Sequence, residues 1–521
     1  MSRWILILLL AIGTTATSAT SQTVKTEGGI ISGAASATAG VREYKGVPYA
    51  APPVGELRWK APAPVVPWEG VRKAEEFAPE CTQGGGGTGR ALSYGQPPIS
   101  EDCLYLNVWT PAKSEKDKLP VMVWLHGGAY AGGWSGSPFF NGEHMAAEGV
   151  IVITVGYRLG AMGYLALPAL TAESDKHASG NYGLLDQIEA LRWVQKNISA
   201  FGGDPRKVTL FGQSAGAGSV CYVQASPLAK GLFARTIGES NGCFDEDTKL
   251  ADAEQAGTKY LAAAGASSLA DLRAKPATDI AKVRGPYPFH PIVDGYSLPK
   301  NAYDIYASGE ENKVPLLVGS NSDEATVLGV PPDSAQAFLQ QAHRRYGDHT
   351  DEFLKFFPAG SDAEAKDSFY LLQTDIFAQQ ERMWERMLTH SGKPAYVYYF
   401  SHKSPIPAGM YPEQARHDLG AFHTAEIVYV FRNFNARPWP WTDEDRKLSD
   451  MMSAYWVNFA KKGDPNGPGL PKWPQAGGEK SGDKYLEFGQ QGPPQVHDGL
   501  DKTTSDFFDS LLAKGQASSG E

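Results

Sequence analysis

Past its first dozen residues the chain has no apolar run near the ~20 residues that a membrane helix requires. It has no block of Lys and Arg either. The 48 basic residues are outnumbered by 58 acidic ones, giving a formal net charge of −10. That balance argues against nucleic acid, whose phosphates need clustered cations. No Cys/His pattern has metal-ligand spacing. No internal repeat occurs, and no Pro/Gly-rich linker divides the 521 residues. What remains is an ordinary globular composition, 42% hydrophobic and 20% charged.

The first residues read as an export leader. Met1-Ser2-Arg3 is positive, Trp4 to Ile12 is apolar, and Thr14 to Ser21 is small and polar. Residues 1–21 are expected to be a signal peptide cut after Ala19 or Ser21. Residues 22–521 are then one domain, exported to the periplasm or secreted, with no stable membrane insertion. Export gives meaning to four cysteines, Cys81, Cys103, Cys221 and Cys243. They allow three connectivities, and neighbours in sequence suggest Cys81–Cys103 and Cys221–Cys243. Asn197-Ile198-Ser199 is a glycosylation sequon, relevant only in a host that glycosylates.

Short continuous apolar runs recur along the chain: Leu119 to Leu125, Val150 to Val155, Val208 to Phe211, Val314 to Val318 and Ala395 to Phe400. Such runs suit strands covered on both faces. Between them, Gly183 to Asn197 places Leu184, Ile188, Leu191 and Val194 at helical spacing. The alternation predicts an α/β protein with a large, mostly parallel central sheet flanked by helices. Its sites belong at the C-terminal ends of the strands.

One serine sits at such an end. Gly212-Gln213-Ser214-Ala215-Gly216 follows the run Val208 to Phe211 and precedes a helical stretch from Ala215 to Tyr222. Strand, G-x-S-x-G, helix is the setting of a nucleophile elbow. A serine hydroxyl needs a base to take its proton and donors to hold the oxyanion. His126-Gly127-Gly128-Ala129 directly follows the run Leu119 to Leu125, so the N–H groups of Gly128, Ala129 and Ala215 are the candidate donors. Tyr130, beside that loop, is a candidate to touch substrate. The chain order Ser, acid, His points to Asp323 or Glu324 after the run Val314 to Val318, and the residues alone leave both open. Downstream, His423 stands in an apolar stretch before a helix, with His417 as a competitor.

The chain resembles the type-B carboxylesterases, which include bacterial para-nitrobenzyl esterases, animal carboxylesterases and cholinesterases. Phe201-Gly202-Gly203-Asp204-Pro205, continued through Val208 to Gly216, is similar to the family's serine signature, and Glu101 to Val108 to its second signature. The likeness runs from Gly46 to Ala50 and Pro53 to Trp59, through Asn181 to Leu184, to Tyr455-Trp456 and Asn458 to Ala460. The resemblance implies the α/β-hydrolase fold and ester hydrolysis by Ser214, His423 and Glu324, with no metal or organic cofactor. It selects Glu324 over Asp323. It places His423 in an H-x-x-E pattern ending at Glu426 and makes Ser240 a support for the acid. It implies a structural Arg58–Glu101 ion pair and matches Cys81–Cys103 to the family's first disulfide.

Departures from the cholinesterases bear on the substrate. Cholinesterases carry Glu before the nucleophile, where this chain has neutral Gln213. Their cation-binding loop carries a tryptophan, whereas Tyr94 is the one aromatic between Cys81 and Cys103. Ala325 replaces the Gly that usually follows the acid. The oxyanion loop reads Gly-Gly-Ala, as in para-nitrobenzyl esterases. A small-molecule ester without a quaternary ammonium is therefore expected. An acyl transferase or amidase on the same triad is the alternative, with a non-catalytic binding protein of this fold further off.

Overall fold

Alternate residues of the apolar runs pack into two different cores. Val121, Val123 and Leu125 belong to one, Met122 and Trp124 to the other. That is why these runs show no polar face: both sides of the sheet are covered.

In the computed structural model the described residues are 23–84, 97–244, 248–287, 289–407, 409–410, 419–477, 483–500 and 502–517. The expected leader, Tyr94 and His417 lie outside them. The main sheet has eleven strands. In chain order they are β1 (Ala34–Ala35), β2 (Arg42–Pro48), β3 (Tyr105–Thr110), β4 (Leu119–Leu125), β5 (Ile151–Val155), β6 (Gly203–Gln213), β7 (Arg235–Glu239), β8 (Leu316–Asn321), β9 (Ala395–Phe400), β10 (Lys484–Phe488) and β11 (Gln495–Asp498). Their spatial order is β11-β10-β9-β8-β7-β6-β4-β5-β3-β2-β1. From β5 across to β10 every pairing is parallel, and both margins are antiparallel.

Helices α1 (Tyr182–Asn197), α2 (Ala215–Ala225) and α3 (Asp362–His390) contribute to the first core, and α4 (Ile427–Phe431) and α5 (Asp443–Lys462) to the second. The parallel register aligns one rung across four strands: Gln213, Glu239, Gly319 and Tyr398. The functional residues gather at and just beyond this rung.

Both expected disulfides are present, with Cα atoms 5.0 Å apart in Cys81–Cys103 and 5.6 Å in Cys221–Cys243. Arg58 forks onto Glu101, with Nε and Nη2 donating at 2.7 and 2.5 Å. The sequon asparagine is not offered to solvent. Asn197 is buried, accepts the Glu27 N–H at 2.7 Å and donates to the Trp193 carbonyl at 2.8 Å. No described helix is long and apolar enough to cross a membrane.

Candidate active site

Ser214 is the turn between β6 and α2. Its φ of 57° is a left-handed value that a side chain adopts only at a cost, roughly 1–3 kcal/mol. Neighbouring backbone holds it there. Its N–H donates to the Glu239 carbonyl on β7 at 2.8 Å, and its own carbonyl accepts the Gly218 N–H at 2.9 Å. The serine is half-exposed while the residues on either side are buried. Two glycines make the corner possible. A Cβ on Gly216 would lie 2.0 Å from the Leu125 carbonyl oxygen, and one on Gly127 would lie 2.9 Å from the Ser214 Cβ.

The loop after β4 therefore presses against the serine. Ala129 and Tyr130 have φ of 53° and 57°, and the turn is closed by the Ala131 and Gly132 N–H groups, both 3.0 Å from the Gly128 carbonyl. The N–H groups of Gly128, Ala129 and Ala215 donate to no acceptor among the described residues, so all three remain open to a ligand oxygen. His126 props the loop from below. Its Nδ1 lies 2.8 Å from the Gly127 carbonyl, and its ring stacks on Tyr157 at 4.5 Å. Burial pushes its pKa down to about 4, against the raising effect of the Gly127 bond. Tyr130 is half-buried. Its hydroxyl lies over Gly218 of α2 and its ring meets Tyr164 edge-on at 5.4 Å.

The two acidic candidates do different things. Glu324, fully buried, brings Oε2 to 2.5 Å from Nδ1 of His423, while its Oε1 accepts the Asn321 N–H at 2.8 Å. Asp323 instead accepts the Ala421 N–H at 3.0 Å. With Nδ1–H donating to Glu324, Nε2 of His423 is the nitrogen left to accept a proton. No hydrogen bond joins Ser214 Oγ to the imidazole here; such contacts often tighten only when substrate binds. Besides Glu324, Gln213 reaches the ring, its Nε2 3.3 Å from His423 Nε2 and 3.5 Å from Nδ1.

Ser240 departs from its expected role. It lies beyond β7 with a φ of 57°, but its buried Oγ has no hydrogen-bond partner, so support for Glu324 comes from the Asn321 backbone. Asn321 also donates Nδ2–H to the Phe422 carbonyl at 2.9 Å and to Glu426 Oε2 at 2.5 Å, linking the acid loop to the histidine loop.

Several neighbours escaped sequence reasoning. Phe377 of α3 lays its ring 5.0 Å from that of His423, at 31°. Glu239 and Glu381 are buried close by, and Glu426, known only as the end of a motif, joins them. Burial first, then the charge of a neighbouring glutamate, pushes Glu239 and Glu381 well above the usual carboxyl range. The same causes push Glu426 up to about 7, with the Asn321 bond opposing them. Glu239 ends β7, Glu381 lies within α3 and Glu426 caps α4, and no shared pattern marks them in the sequence.

No group of three or more His, Cys, Asp or Glu residues placed to hold a metal occurs among the described residues. A cavity of about 450 Å³ lies elsewhere, lined by Trp59, Leu170, Tyr182 and Tyr296 among others, and none of the site residues above borders it.

Residues 20–508 match the carboxylesterase family. The chain belongs to that family. Among its relatives, the fumonisin B1 esterase of Sphingopyxis macrogoltabida is 37% identical, over 87% of this chain and 84% of the relative. A cocaine esterase of Oryctolagus cuniculus is 33% identical, over 91% and 92%. A thermophilic PNB esterase structure superposes with a TM-score of 0.81 at 32% identity, covering 94% of this chain and 99% of the other. The architecture is the α/β-hydrolase fold, and the protein is a serine ester hydrolase.

Proposed function

We propose that this esterase cleaves small carboxylic esters through Ser214, His423 and Glu324, by way of a covalent acyl-enzyme. The contact of 2.5 Å between Glu324 Oε2 and His423 Nδ1 carries the reading, because it leaves Nε2 as the base in the fold where such a base serves an elbow serine. Ser214 Oγ attacks the ester carbonyl as its proton passes to Nε2. The carbonyl π pair moves onto oxygen, which Gly128, Ala129 and Ala215 hold; one such donor contributes about 3–4 kcal/mol to the transition state. The tetrahedral intermediate then collapses, breaking the C–O bond, and the leaving alkoxide takes the proton from Nε2. Water, deprotonated by His423, repeats the cycle on the acyl-serine and releases the acid. Glu324 fixes the imidazole and stabilises its cation.

Neutral Gln213 beside the nucleophile favours esters without a cationic head. We further propose that the protein is exported, with residues 22–521 as one catalytic domain after the leader; two disulfides suit an oxidising compartment. The test is labelling by an organophosphate. Ser214 should gain the phosphoryl mass and all turnover should stop, and Ser214→Ala should keep the fold and neither label nor turn over. Full activity in Ser214→Ala would overturn the mechanism. A choline ester hydrolysed faster than its uncharged carbon analogue would overturn the substrate reading.

A further inference from the structure

Gln213 ends β6 and reaches two parts of the site at once. It is fully buried. A Cβ on Gly127 would lie 3.1 Å from its Oε1, so the carbonyl end stands against the oxyanion loop. The other end stands against the base, with Nε2 at 3.3 Å from His423 Nε2 and 3.5 Å from Nδ1. The hydrogen-bonding axes of the two ring nitrogens diverge in the ring plane. An atom almost equidistant from both lies on neither axis. In the plane it would collide with the carbon between them, so the amide nitrogen stands over a face of the imidazole. The lone pair of Nε2 stays open in the plane, as transfer of the Ser214 proton requires.

An N–H over a neutral imidazole is a weak, favourable contact. The other end of the amide is less settled. Oε1 has no hydrogen-bond partner among the described residues, and a bare buried carbonyl is costly. The titratable groups facing the ring are Glu324, bonded to Nδ1, and Glu426, three residues on, while Glu381 of α3 faces Glu324. Phe377 of α3 adds an uncharged ring at 5.0 Å. Proton transfer changes what the imidazole attracts. Once Nε2 holds the serine proton the ring is a cation, which repels an N–H dipole aimed at it and attracts a carbonyl oxygen. A terminal amide keeps nearly the same outline after half a turn about its last bond. That turn brings the bare Oε1 over the ring without needing more room.

We propose that Gln213 is a positioning residue whose amide turns with the charge of His423, presenting N–H to the neutral ring and Oε1 to the imidazolium. The inference rests on the Ser-His-Glu reading. Gln213 acts through His423 and makes no bond to substrate. No covalent bond forms or breaks in the turn, and the proton stays on Nε2 until the leaving alkoxide takes it. Because the amide is neutral, it favours the cation without holding the proton back. The ring therefore gains an anion-like neighbour only while it is charged.

Gln213→Met and Gln213→Glu test this, the first by removing the dipole and the second by fixing a charge. Gln213→Met should lower kcat ~10-fold with KM nearly unchanged, because the lost interaction is made only with the charged ring. The acid limb of its kcat/KM profile should move to lower pH, since the imidazolium has lost a stabilising oxygen. An amide fixed with its N–H on the ring would disfavour the cation, and its removal would move that limb up instead. Gln213→Glu should move the limb up by about one pH unit or more, because a carboxylate favours the charged ring. Steady-state rates on an uncharged p-nitrophenyl ester across the pH range give both. An acid limb that rises or stays in place in Gln213→Met would overturn the proposal, as would an unmoved limb in Gln213→Glu. Gln213→Leu replaces the Met variant if that does not fold. Failure of the triad reading would appear separately, as absent organophosphate labelling of Ser214 in the wild type.

Discussion

Asp323 and Ala421 pair through one side-chain and one backbone bond: the carboxylate accepts the Ala421 N–H at 3.0 Å, and the Asp323 N–H donates to the Ala421 carbonyl at 3.1 Å. The acid loop and the histidine loop are thereby held in register, and Glu324 meets His423 because Asp323 has already met Ala421. Asp323→Ala should lower kcat ~10-fold with KM nearly constant, and Asp323→Asn, whose amide oxygen still accepts, should recover most of it. Glu324→Gln should be far worse, ~10³-fold or more in kcat, because the imidazole loses its orienting anion. Steady-state rates on a p-nitrophenyl ester decide this; equal losses in Asp323→Ala and Glu324→Gln would refute the division of labour.

Two glycines on α2 should respond oppositely to alanine. A Cβ on Gly216 would meet the backbone oxygen of Leu125 at 2.0 Å, which cannot swing aside. Gly216→Ala should cost about 3 kcal/mol or more and shift the thermal unfolding midpoint accordingly. A Cβ on Gly218 would press hardest on the Tyr130 hydroxyl, at 2.5 Å, where a ring can move, and would lie 3.1 Å from the Gly242 carbonyl oxygen. Gly218→Ala should fold and show its effect in KM, through the displaced Tyr130. Unfolding curves and KM values for the two variants make the comparison.

Asp445 should set part of the acid tolerance. Burial alone would raise its pKa, but bonds from His402, Thr442 and Tyr429 outweigh burial and hold it at about 2. Its folded pKa is therefore below the unfolded one, so its contribution is present above about pH 4 and is lost as pH falls toward 2. Asp445→Asn should be less stable than the wild type at neutral pH, and the gap should close in acid. Urea unfolding across that range reads it; a gap that widened in acid would reverse the sign of the argument.

Phe377 should govern which esters fit. Its half-buried ring lies 5.0 Å from that of His423, so a substrate group approaching the imidazole is expected to meet it. Phe377→Ala should raise kcat/KM for benzoate relative to acetate esters ~10-fold. A constant ratio would place the ring outside the substrate's path.

Much of this was legible in the residues. Leu119 to Leu125 and Ala395 to Phe400 form strands with the limits their apolar runs suggest. The strand before Ser214 runs longer than Val208 to Phe211, since Gly203 also pairs, with Leu119, and Asp204 to Lys207 form an irregular stretch between them within Gly203–Gln213. The elbow was readable because glycine spacing, strand and helix all agree locally. The choice between Asp323 and Glu324 was not, because it depends on a partner 99 residues away. Glu239 and Glu381 were hidden for another reason. A glutamate in sequence looks solvated, and only the packing of α3 and α5 around the strand ends buries it.

The Ser214 N–H is bound not within its own helix but across the sheet, to Glu239. The position of Ser214, the proposed nucleophile, is thus tied to a neighbouring strand deep in the scaffold. An engineer could exchange the outer loops of this esterase to admit new esters and still expect the reacting atoms to stand where they do now. On the proposed mechanism, substrate range and chemical competence would then be separately editable.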